Sequence, residues 1–155
     1  MGYTRDHVRK YGLEGLRFFK WVLYSGGTGL LVGAVAAAFH LGIDWAAQLR
    51  EAYPWLLCGL PLGGMAIVLL YRLCGMERDP GTNLVLTAVR EAEPMRLRTA
   101  PLVILSTIVT HLVGGSAGRE GAALQLGGSL GAWMGRQIRL DAKDRRVMVM
   151  CGMSA

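Results

Sequence analysis

The charged residues of this 155-residue chain gather in clusters, and between the clusters lie long runs that hold no Asp, Glu, Lys or Arg. The runs are 21–43, 52–71, 99–118 and 121–135. A helix needs about 20 apolar residues to cross a hydrocarbon core of about 30 Å. The first three runs reach that length. The fourth does not, because at about 1.5 Å per residue it covers only roughly 22 Å. Runs 80–89 and 147–155 are shorter still. Hydrophobic residues make up 52% and charged residues 18%, a balance that excludes a disordered chain or a coiled coil. Cys58, Cys74 and Cys151 are odd in number and lack a C-x-x-C spacing, so no disulfide scaffold is expected. The pattern predicts an all-α, polytopic membrane protein with broken, re-entrant helices. Spans are expected at about 21–43, 52–71 and 99–118. Short or re-entrant helices are expected at about 82–92 and 121–135, and a further helix starts at 147–155.

The basic residues set the orientation. Residues 1–20 hold Arg5, Arg9, Lys10, Arg17 and Lys20, whereas 44–51 hold only Arg50. Two further clusters occupy 72–98 and 136–146. The positive-inside rule makes 1–20 a cytoplasmic segment, puts the loop around Arg50 outside and returns the other clusters to the inside. The net charge of +6 is thus read as topology. No basic stretch is interleaved with aromatic residues, so no nucleic-acid partner is expected. The first run is too long for a cleaved signal core, and no acylation or prenylation signal is present. His7, His40 and His111 do not form a ligand pattern, and neither a metal nor a cofactor is expected. With no paired carboxylates and no nucleophile–base set, the chain is not read as an enzyme.

Two inside clusters in succession require an even number of crossings between them. Runs 99–118 and 121–135 supply the pair, joined only by Arg119 and Glu120. The turn therefore falls at membrane depth, where irregular backbone must be buried in protein or line an aqueous cavity. Ionisable residues at that depth mark a functional site. A helix beginning near Gly121 aims unpaired N–H groups and a positive dipole end at the break, an arrangement suited to an anion. The segment 81–85, with Thr82 and Asn83 as caps after Pro80, repeats the theme. Glu120 can itself occupy an anion site when ionised. Burial favours its neutral form, while the helix N-terminus and Arg119 favour the charged one. The bland alternative is a buried Arg119–Glu120 pair that only locks the turn. Gln125 either lines the path or bonds a neighbouring helix. The glycine spacings 29/33, 59/63, 114/118, 127/131 and 131/135 fit close helix packing within the chain.

The stretch 114–131 reads Gly-Gly-Ser-Ala-Gly-Arg-Glu-Gly-Ala-Ala-Leu-Gln-Leu-Gly-Gly-Ser-Leu-Gly. It resembles the G-x-x-x-G-R-E-G-P signature of the CLC chloride channels and proton-coupled anion antiporters. The resemblance implies a CLC-type fold and transport of chloride or fluoride, with protons as the coupled ion. It implies that Glu120 is the gating glutamate and external proton acceptor. The backbone amides of Arg119, Glu120 and Gly121 then form the outer anion site, and Thr82 stands where the family has its coordinating serine. Ala122 replaces the motif proline, and Gly81-Thr82-Asn83-Leu84-Val85 replaces G-S-G-I-P. Both departures resemble the fluoride-exporting bacterial branch. Family members carry two inverted halves per subunit and assemble as homodimers in the membrane, for this branch the bacterial inner membrane. The resemblance covers the first half only, so the chain is expected to be truncated and inactive alone. A non-transporting assembly fragment is the alternative.

Overall fold

The computed structural model describes residues 2–77, 81–91 and 95–155. Among them every regular element is helical: α1 (Gly2–Ala52), a 3-10 turn (Pro54–Gly59), α2 (Leu60–Leu73), α3 (Thr82–Glu91), α4 (Thr99–Leu112), α5 (Arg119–Gln137) and α6 (Ala142–Ser154). Pro80 and residue 92, both used in reading the short helix, lie outside the described residues.

No proline interrupts 2–52, so the charged N-terminal stretch and the apolar run form one helix. Pro54 ends it, because proline cannot donate to the preceding turn. One stripe of α1 is buried (Thr28, Val32, Phe39, Ile43 and Ala46), while Phe18, Leu23, Leu30 and Leu41 on its other faces are exposed. By length and composition, Arg17–Ala52 and Pro54–Leu73 can each cross a membrane, and Thr99–Leu112 is a shorter apolar helix. Apolar side chains exposed on this scale suit lipid or further protein rather than water.

Helix α5 is the centre of the packing. Phe39 and Ile43 of α1, Ala100 and Val103 of α4, and Ala122 and Leu126 of α5 form one cluster. Val85, Met95, Ala132 and Val149 form a second on its other side. The α5–α6 seam is backbone on backbone. A methyl group on Gly127 would run into the Gly152 carbonyl, and one on Gly131 into the Met148 carbonyl. The 127/131/135 glycines thus serve packing within the chain, as do Gly59 and Gly63 against Val113. Gly29 and Gly33 meet nothing within 4 Å among the described residues.

The break between the last two apolar runs falls earlier than the charges suggest. Helix α4 stops at Leu112, because Gly114 takes a left-handed φ of 83° and the Gly115 N–H closes back onto the Thr110 carbonyl at 2.8 Å. That is a glycine C-cap. Helix α5 then starts at Arg119 and runs 19 residues, about 28 Å. The short member of the pair is α4, with 14 residues. Arg119 and Glu120 sit in the first turn of a helix, not in the loop before it.

Candidate anion site at two helix N-termini

Helices α3 and α5 bring their N-termini together. Gly81 adopts φ 64°, a left-handed conformation that favours glycine, and so turns the chain into Thr82. A methyl group built on Gly121 would lie 3.0 Å from Thr82 Oγ1, and one on Gly81 would lie 3.7 Å from Gln125 Nε2. These close approaches connect residues some forty positions apart. The approach at Gly121 is tight for a methyl group, whereas that at Gly81 is an ordinary contact, and it is the left-handed φ that favours glycine there.

The N-cap of α5 is Gly118, in extended conformation (ψ 116°), and no side chain caps the helix. Its first N–H groups are thus left for water or a ligand. With two positive helix ends meeting at Thr82 and Gly121, the place favours negative charge. Thr82 is exposed and adds a hydroxyl that can donate. Gln125, buried to 7% exposure, lies one turn deeper on α5, beside Gly81.

Glu120 is exposed, and its side chain makes no ion pair or hydrogen bond among the described residues. Arg119 does not pair with it. The guanidinium turns instead toward α1, with Nη1 4.0 Å from Asp44 Oδ1. The other Asp44 oxygen lies 3.7 Å from His40 Nδ1, one turn back on α1. The alternative of a buried Arg119–Glu120 lock is not what the fold contains. Both side chains are exposed, and the arginine lies toward Asp44 instead.

Nearby, Arg50 Nη1 donates to the His111 carbonyl at 3.5 Å, a basic group on the carboxyl end of α4. Leu57 packs on Gly114 at the same corner. The residue that sequence reasoning passed over is Asp44. Its signal was present: it is the acid that ends the first uncharged run, and it stands one helical turn from His40.

A family model described as voltage gated chloride channel matches residues 62–155, a span that contains Thr82, Arg119, Glu120 and Gly121. The curated chloride/fluoride channel protein of Pseudomonas syringae pv. tomato (strain ATCC BAA-871 / DC3000) is 42% identical over 137 residues, 88% of this chain and 30% of its own length. A CLC-type fluoride/proton antiporter of known crystal structure matches with a TM-score of 0.78 and 37% identity, over 85% of this chain and 34% of that one. The chain thus spans about a third of the length of these relatives. The family model covers more than half of the chain and takes in both helices whose N-termini meet, and the chain belongs to the voltage gated chloride channel (CLC) family.

Proposed function

We propose that this chain supplies the outer gate of a CLC subunit that moves small inorganic anions, chloride or fluoride, across a membrane in exchange for protons. The observation that carries the reading is the meeting of the α3 and α5 N-termini at Thr82 and Gly121, with Glu120 on the first turn of α5. An anion leaving water needs donors to replace its shell. The uncapped amides of Arg119, Glu120 and Gly121 and the Thr82 hydroxyl are donors of that kind.

Glu120 is an anion on a tether. Ionised, its carboxylate competes for the same amides. When it takes a proton from the outside it becomes neutral, loses that attraction and vacates the site for the permeant ion. The proton then leaves on the opposite side as the anion passes the other way. Exchange is coupled because one site cannot hold the charged carboxylate and an anion together. Fluoride is the sharper form of the proposal. It is supported by Ala122 and the 81–85 segment, and by relatives described as a chloride/fluoride channel protein and a fluoride/proton antiporter. In this reading the N-terminus is cytoplasmic, the complete subunit works as a homodimer in a bacterial inner membrane, and the 155 residues alone are inactive.

The test is ion flux from liposomes holding the complete subunit, read with fluoride and chloride electrodes and a pH electrode. Wild type should move protons against anions in fixed ratio. Glu120→Gln, which cannot ionise, should cut proton movement by about tenfold or more. Proton-coupled exchange that survives Glu120→Gln would overturn the gate assignment. Liposomes holding only the 155 residues should show no flux.

A further inference from the structure

We propose that Asp44 is a positioning residue for this gate: it holds Arg119 off the α5 N-terminus, so that the amides stay open to an anion and Glu120 keeps no cation beside it. The inference rests on the reading of Glu120 given above. Three observations carry it. Arg119 occupies the first position of α5, where the helix dipole disfavours a cation. Its guanidinium points across to α1, 4.0 Å from Asp44 Oδ1. On the same face of α1, His40 Nδ1 lies 3.7 Å from Asp44 Oδ2.

The pair is half-exposed, at 46% for Arg119 and 53% for Asp44, so its contribution to folding is small. Its effect is on where one positive charge sits. Without Asp44, the long arginine side chain is free to reach the Glu120 carboxylate and any anion on the amides. Both outcomes slow exchange. A cation near Glu120 favours its charged form, so more acid is required outside before it can protonate.

Few other groups complicate this. Among the described residues, the other titratable or charged groups at this end of the elements packed against α5 are His40, Arg50 and Glu51 of α1 and His111 of α4. His40 faces Asp44, and Arg50 is engaged with the His111 carbonyl. The first turn of α3 and the last two turns of α6 carry no ionisable side chain other than Cys151.

The experiment measures proton-coupled fluoride and chloride exchange by the complete subunit in liposomes against external pH. Asp44→Asn should move the half-maximal point to lower pH by about one unit, a tenfold higher proton concentration, and slow exchange at neutral pH. Asp44→Glu, which keeps a carboxylate, should restore the wild-type profile. In an Arg119→Gln background, Asp44→Asn should add no further shift, because its effect runs through the arginine. An unchanged profile in Asp44→Asn, or the same shift with and without Arg119, overturns the proposal. Loss of gating by Glu120→Gln is scored separately, so a failure at Asp44 is distinguishable from a failure of the gate reading.

Discussion

Arg139 is the one non-glycine residue with a positive φ, 55°, among the described residues. It follows the C-cap of α5, where the Leu140 N–H reaches back to the Gly135 carbonyl at 3.0 Å. Helices commonly end on a left-handed residue of this kind, and glycine holds it without the cost that a Cβ adds. Arg139→Gly should therefore stabilise the chain by about 1 kcal/mol, seen as a higher thermal midpoint in detergent. Gly81 and Gly114 are the reverse case, with glycine already in place at φ 64° and 83°. Their turns were half legible in the sequence. Gly81 opens the short helix in the sequence reading, but Gly114 is read there only as a packing glycine inside the run 99–118; that it ends α4 depends on the Thr110 and His111 carbonyls that receive the closing N–H groups. At the same scale, Thr82 is one hydroxyl beside Gly121. Thr82→Val keeps the shape and removes the donor. The expected result is about tenfold weaker apparent anion affinity, read from flux against anion concentration, with unchanged thermal stability.

Between elements, the contact most sensitive to change is the seam of α5 and α6. Gly127 and Gly152 each leave no room for a methyl group, because the backbone carbonyl of the other occupies that place, and Gly131 stands likewise against Met148. Backbone cannot swing aside as a side chain can. Gly127→Ala should push the helices apart and destabilise the fold by about 1–3 kcal/mol, against a near-neutral Gly29→Ala, since Gly29 meets nothing within 4 Å. Paired thermal melts of the two variants check this. Glycine spacing alone did not separate these positions. The 29/33 pair and the 127/131 pair look alike in the chain, and the difference is which helix lies opposite.

For the molecule as a whole, the all-helical membrane architecture follows from one-dimensional facts. Uncharged runs long enough to cross a bilayer fold as helices because every backbone N–H and C=O must be paired away from water. Proline ends them and glycine breaks them for reasons local to each residue. The signature around Glu120 was also legible, because it is contiguous. What the chain order does not carry is distance. That Thr82 sits against Gly121, that Arg119 turns to Asp44 and not to its neighbour Glu120, and that α5 rather than α4 is the longer helix all depend on α1, α3 and α4 packing around α5. Solvation and backbone pairing act on each segment separately and are written in residue order. The approach of two helix ends is settled by the sum of contacts between residues far apart, and that sum exists only once the helices have met.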